Sequence, residues 1–253
     1  MPKDLLLLDP AGQQKLFGPA CLLVAIDETG HEQLADPRYP LFGLGGCLTV
    51  VADYHKHIHG PWTALKDRHF GGGQVPLHAT GLMPSPEQAA ALGSFFKDQT
   101  FGRFAAIATD QTDLSSPLSR YESVALVMGK LIDEVATHYH FDRIAVVFEH
   151  NQRTEPLIRR VFSSTKTYPD RAKKWQVPTQ FFLASKQTAE PLVEVADFVM
   201  QAAGTATRAY NETGVPPLKR RDFGSVFEGG SSRRAAFTIL TSIHGPKPSG
   251  GTA

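Results

Sequence analysis

Cys21-Leu-Leu-Val-Ala-Ile26, followed at once by Asp27-Glu-Thr-Gly30, is the stretch on which the fold turns. A short apolar run without polar alternation, closed by a turn signal, suits a strand buried on both faces. The run from Leu41 to Val51 reads as a second strand. Its glycines at 43, 45 and 46 point to a bulge or a close backbone approach. A loop-rich stretch with scattered histidines follows from His55 to His78, and Phe104–Ala108 is the third strand. From Tyr121 to Val135, apolar residues recur at the spacing of one buried helix face. Ile144–Phe148 is a buried strand that ends in Glu149, Leu157–Phe162 a short helix, and Thr179–Leu183 a further strand. Pro191 then opens a second long helix, with Leu192, Val195, Ala196, Val199, Ala202, Ala203 and Ala206 on its apolar face. Strands first, then strand and helix in alternation, predict an α/β fold: a mixed β-sheet flanked by α-helices in a single domain.

Composition supports one substantial core: 253 residues, 42% hydrophobic and 20% charged. The domain is expected over residues 19–244, after an N-terminal segment 1–18 and before a flexible tail 245–253 rich in glycine and proline. Leu5–Leu8 is too short for a signal-peptide core. No run approaches the roughly 20 apolar residues that cross a bilayer. Cys21 and Cys47 lie inside apolar runs, as buried free thiols do. A cytoplasmic protein without a membrane partner is expected.

The net charge of +1 hides an asymmetry. Residues 1–150 carry 11 Lys/Arg against 17 Asp/Glu, a net −6; residues 151–253 carry 15 against 8, a net +7. Basic groups cluster at Arg159-Arg160, at Arg171 with Lys173-Lys174, at Lys219-Arg220-Arg221 and at Arg233-Arg234. An acidic half beside a basic half suits a polyanionic partner such as RNA or DNA. The plainer reading is that these are solvated faces.

Two of the expected strands end in acids: Asp27 after Ile26, and Glu149 after Phe148. In open α/β sheets, ligands collect beyond the carboxyl ends of the strands. The late helix adds Glu194 and Asp197, three residues apart on neighbouring spots of one surface. Four carboxylates gathered at a mostly buried site repel one another unless a cation intervenes. Hard ions such as Mg²⁺ or Mn²⁺ want oxygen ligands and keep positions open for phosphates. Two of them about 3.5–4 Å apart can activate water and stabilise the leaving oxygen of a phosphodiester. The competing explanation is that Asp27 caps a turn and that Glu149 and Glu194 are surface acids.

Ile26-Asp-Glu-Thr-Gly30 followed by Leu41-Phe-Gly-Leu-Gly-Gly46 resembles the opening of the DUF3800 family. Leu77-His78 is similar to that family's Glu-Leu-His signature, and Val195-Ala-Asp-Phe198 to its closing helical motif. The motifs keep the family's order from about residue 20 to about residue 210. The resemblance implies a ribonuclease H-like domain, whose nucleases and resolvases carry carboxylates on the first strand, the fourth strand and a late helix. Position by position, that implies Asp27, Glu149 and Asp197 as metal ligands and catalytic residues, with Glu194 completing the helical pair. It implies a metal-dependent nuclease or phosphodiesterase using Mg²⁺ or Mn²⁺, in a pair of ions; the alternative is a ribonuclease H-like module that binds nucleic acid or a partner protein without cleaving. Two departures stand out: Pro76-Leu77-His78 lacks the acid before the histidine, and Glu149 stands where Asp is more usual.

Among other features, His78 could orient an attacking water or contact a phosphate. Lys186 and Thr29 are candidate substrate contacts. His55, His57 and His59 would share a face on a strand and could ligate zinc, but no second ligand pair follows at the usual spacing. Gly71-Gly-Gly73 lacks the Lys-Ser/Thr of a phosphate-cradling loop. Ser231 and Ser232 have no supporting motif, and Tyr121 is expected in the core.

Overall fold

A hairpin of β1 (Leu5–Leu8) and β2 (Gln14–Phe17) precedes the decisive strand, β3, which spans Cys21–Gly30. The computed structural model describes residues 4–9, 11–31, 33–34, 40–113, 119–149, 155–163, 165–169, 174–184, 190–213 and 235–242. The apolar run is only the first part of β3. Its antiparallel partner β4 (Leu41–Val50) pairs with it from Leu22↔Val50 to Gly30↔Phe42, so the Asp27–Gly30 segment expected as a turn lies within the sheet. The register of β4 with β3, and with β5 (Gly102–Asp113) on its other side, runs on without the bulge that its glycines suggested. The glycines serve close approach instead. A Cβ built at Gly46 (φ 153°) would lie 2.1 Å from the Ala25 carbonyl oxygen and 3.1 Å from Ala196 Cβ.

After β4 the chain turns directly into α1 (Val51–Tyr54), a π-helical turn (His55–His59) and α2 (Gly60–His69). This corrects the loop expected there. The buried residues Val51, Tyr54, Ile58, Trp62 and Leu65 recur at helical spacing, and the polar histidines between them face outward or meet neighbours on the rim. His55 stacks on His59 at 5.1 Å between ring centroids, and His57 meets Thr100, so the strand face on which zinc was considered does not exist. The next helix, α3 (Pro86–Asp98), starts with a reciprocal capping box between Ser85 and Gln88. Ser119 and Glu122 start α4 (Arg120–Ala136) in the same way.

The remaining elements are β6 (Arg143–Glu149), α5 (Glu155–Val161), β7 (Thr165–Pro169), β8 (Lys174–Ala184), α6 (Pro191–Thr213) and β9 (Ala235–Ser242). Seven strands form one mixed sheet in the order β7-β8-β6-β3-β4-β5-β9. In it β6 runs parallel to β3, β8 to β6, and β9 to β5. Helices flank both faces of this single domain, as expected. Leu23, Ala25, Ala145 and Val147 pack with residues of α2, α3 and α6. Leu22, Val24, Ile26, Val146 and Phe148 pack with α4, where Tyr121 stacks on Phe42 at 4.8 Å. The N-terminal hairpin joins the α6 side: Leu7 and Phe17 are buried, and Phe17 meets Phe182 edge-on at 5.8 Å. Both cysteines are buried free thiols, and burial pushes the Cys21 thiol up to about 12 and that of Cys47 higher still. Among the described residues, no helix is long and apolar enough to cross a membrane.

Candidate active site

Strand register decides where the two acids expected at strand ends stand. The last parallel pairs between β3 and β6 are Ala25↔Val147 and Ile26↔Phe148. Asp27 and Glu149 follow them directly. Paired residues on neighbouring strands share a face. Asp27 pairs with Gly45, where an added Cβ would meet Met200 Sδ of α6 at 2.7 Å. Glu149 pairs with Ala184, which is buried in the α6-side core. Both acids therefore face the α6 side, Glu149 at the end of β6 and Asp27 inside β3, just past the point where its parallel pairing with β6 stops. Asp27 is half-buried and Glu149 exposed. Alternation sends Glu28 to the opposite face.

Helix α6 passes over this edge. Ala196 lies against the Ala25–Gly46 crossing, and a Cβ built at Gly204 would come 3.1 Å from Thr29 Oγ1. Those two contacts bracket Asp27 along β3, and they place Thr29 on the same face. Asp197, the residue after Ala196, is 6% exposed. Its Oδ2 accepts the Ala79 N–H at 3.0 Å and lies 4.0 Å from Nδ1 of His78, whose ring is half-exposed. The structure thus brings His78 and Asp197 together, as the sequence could only suggest.

Glu194 has a different employment. It is fully buried, and both oxygens are taken: Oε1 accepts the Leu77 N–H at 2.7 Å, and Oε2 accepts Trp62 Nε1–H at 2.6 Å and Lys66 Nζ–H at 2.8 Å. Lys66 is itself fully buried and donates a further bond to the Val75 carbonyl at 3.0 Å. The fourth ligand expected at Glu194 is therefore corrected. A carboxylate saturated by an ammonium, an indole and an amide in a dry site is a packing anchor, because freeing it would strand Lys66 without its counter-charge. Sequence reasoning missed Lys66 and Trp62 altogether, although their spacing of four residues on one helix face was a usable signal.

Comparison with known protein families, curated proteins and solved structures gave no match.

The donor chemistry still suits a hard cation. Mg²⁺ is usually held by one or two carboxylates together with waters and substrate phosphates, not by an all-protein cage. Asp27 and Glu149 offer that number of oxygens on one face, with Asp197 on the helix above. Among the described residues, no group of three or more His, Cys, Asp or Glu side chains gathers closely enough to enclose an ion by itself. Asp27 and Glu149 could hold an ion only in company with waters or a substrate phosphate.

The basic groups expected to grip phosphate are placed differently. Arg159 pairs with Glu155 at 2.7 Å, Arg160 with Glu122, and Lys166 with Asp133 at 2.7 Å. These pairs belong to the α4–α5 layer, on the face of the sheet away from α6. Lys186, the tail from 245, Ser231-Ser232 and the clusters at 219–221 and 233–234 lie outside the described residues, as do Arg171 and Lys173.

Proposed function

We propose that this protein is a metal-dependent nuclease of ribonuclease H-like fold that hydrolyses phosphodiester bonds at the Asp27 edge of the sheet, in the manner of the DUF3800 family its motifs resemble. One observation carries the reading. Asp27 and Glu149 directly follow the last parallel pair of β3 and β6 on one face, and Asp197 lies on the helix that crosses that face. Within the seven-stranded sheet, β3 and β6 are the first and fourth strands in chain order, and α6 is the late helix. That is where ribonuclease H-like nucleases carry their acids.

In this reading Asp27 and Glu149 would hold Mg²⁺ or Mn²⁺, and Asp197 would complete the acidic set. A bound ion, or a pair of them, would polarise the phosphoryl group and lower the pKa of a coordinated water. Thr29, on the same face, would contact substrate. His78, exposed beside Asp197, would exchange a proton with the attacking water or the leaving oxygen. The reading also places the protein in the cytoplasm with its nucleic-acid substrate. RNA and DNA are both within it, and recognition would run through the backbone, so affinity should fall steeply with salt.

The test is incubation of labelled RNA and DNA with the protein, with and without Mn²⁺. Cleavage that requires Mn²⁺ is expected, with a loss of at least about 100-fold in Asp27→Asn. Full activity in both Asp27→Asn and Asp197→Asn would remove the proposed site.

A second reading is favoured by the commitment of Glu194 to Lys66, Trp62 and Leu77. With one acid of the helical pair diverted to packing, the domain would bind nucleic acid or a partner protein without cutting it. Binding in the absence of any Mn²⁺-dependent cleavage would favour that reading.

A further inference from the structure

The segment Leu77-His78-Ala79 alternates in burial: Leu77 is 8% exposed, Ala79 5%, and the His78 side chain between them 49%. Its two inward residues are tied to α6 through their backbones. The Leu77 N–H donates to Glu194 at 2.7 Å and the Ala79 N–H to Asp197 at 3.0 Å. In an extended segment, N–H groups two residues apart point the same way, and carboxylates three residues apart share a helix face. The two spacings meet as a pair of charge-assisted bonds. Lys66 closes the arrangement from the other side. It holds Glu194 at 2.8 Å and the Val75 carbonyl at 3.0 Å, so a single ammonium ties the helix to the chain entering that segment.

We propose that Glu194, locked by Lys66 and Trp62, is a positioning residue that fixes the Leu77–Ala79 segment on α6 and thereby sets where the His78 imidazole stands beside Asp197. The inference rests on the nuclease reading only for what His78 does there; the positioning is a separate claim with its own readout. Imidazole exchanges protons near neutral pH, and proton transfer requires it to be held within hydrogen-bond reach of the reacting oxygen. A segment anchored by only one of its two amides would let the ring wander, and small misplacements near the chemistry cost about 100-fold in rate.

The experiment uses the full chain in three forms: wild type, Glu194→Gln, and the double variant Lys66→Met/Glu194→Leu. The double variant replaces the buried pair with apolar groups of similar volume and so keeps the fold testable. Amide hydrogen exchange at Leu77 and Ala79, the NMR signals of the His78 ring, and kcat and KM on RNA and DNA with Mn²⁺ are measured on each. In the double variant, exchange at both amides should rise at least about tenfold and the His78 ring signals should shift and broaden. kcat should fall about 10- to 100-fold, with KM within about twofold of wild type. Glu194→Gln keeps an oxygen for the Leu77 N–H and should recover part of both effects. Unchanged exchange at Leu77 and Ala79 with an undisturbed His78 signal would overturn the proposal. So would a rate loss that only tracks the unfolded fraction. Should wild type cleave neither substrate, the nuclease reading falls, while the amide and ring signals still decide the positioning.

Discussion

On the α4–α5 face, charged side chains pair at or near the surface: Arg159 with Glu155, Arg160 with Glu122, and the largely covered Lys166 with the half-exposed Asp133. The layer beneath is apolar, with Val124, Met128 and Ile132 of α4 fully buried over β4 and β5. On the α6 face, Lys66 and Glu194 are fully buried and Asp197 nearly so. Exposed pairs contribute about 0–1 kcal/mol, whereas stranding one partner of a buried pair costs about 3–5 kcal/mol. A core needs no buried charge in order to fold, and among the described residues the opposite face of the same sheet holds no fully buried one. Ion pairs on one side are decoration. On the other they fix geometry, and that is the side on which Asp27, Glu149 and His78 stand.

Lys66→Met gives the sharpest break of this contrast. It should cost about 3–5 kcal/mol in chemical denaturation, and the double variant Lys66→Met/Glu194→Leu should recover most of that. A loss below about 1 kcal/mol would place the buried pair in the same class as the surface ones. Next comes Gly46→Ala, which drives a methyl against the Ala25 carbonyl oxygen at 2.1 Å and Ala196 at 3.1 Å. A loss of about 3 kcal/mol is expected, where an exposed glycine such as Gly12, with nothing within 4 Å, should show only the strain of its positive φ.

A third test uses pH. Burial, reinforced by the negative charge of Glu194, pushes the Glu190 carboxyl above its ordinary range, and the Tyr54 hydroxyl donates to it. The ionised form is thus disfavoured in the fold. The stability this group contributes is complete below the unfolded carboxylate value and is lost as pH rises through the raised one. Glu190→Gln should therefore raise the melting temperature relative to wild type at pH 7 and leave it unchanged at pH 4. An equal effect at both pH values would mean that the carboxyl titrates normally. The smallest effect belongs to Arg159→Ala, about 0.5 kcal/mol in denaturation and fading in high salt. A loss of several kcal/mol there would show that the α4–α5 face, too, depends on charge.

Much of this was legible. Cys21–Ile26 is a strand covered on both sides, Tyr121–Val135 and Pro191 onward are helices, and Glu149 ends its strand, because each segment's apolar spacing matches the element it forms. Residues 55–69 were misread because the histidines, Lys56 and Gly60-Pro61 punctuate the chain like a turn. The deciding spacing is carried by Val51, Tyr54, Ile58, Trp62 and Leu65, and Pro61 sits at the start of α2, where its missing N–H does no harm. Ser85-Pro-Glu-Gln88 is a capping box that the sequence displayed and the reading passed over. Strand β7 was missed because five residues without strict alternation resemble loop, and β9, though eight residues long, shows no strict alternation either. At the site, the strand-end position of Glu149 followed from local pattern, whereas Asp27, expected at a strand end, lies inside β3 because β4 pairs with it as far as Gly30. The fate of Glu194 did not, because its partner Lys66 lies 128 residues away and periodicity carries no information about a contact of that range.

The glycines of β4 differ in how far evolution could replace them. A methyl at Gly43 would meet the Ile107 side chain at 2.6 Å and the Ala106 carbonyl oxygen at 3.0 Å, so a smaller residue at 107 relieves the tighter contact and leaves a backbone one only slightly close. At Gly45 and Gly46 the nearest obstacles are the carbonyl oxygens of Phe104 and Ala25, at 2.3 and 2.1 Å. No change of side chain elsewhere moves a backbone oxygen. Descendants of this chain that keep the sheet and its crossing helix can vary residue 43 in concert with a neighbour, but they inherit 45 and 46 unaltered.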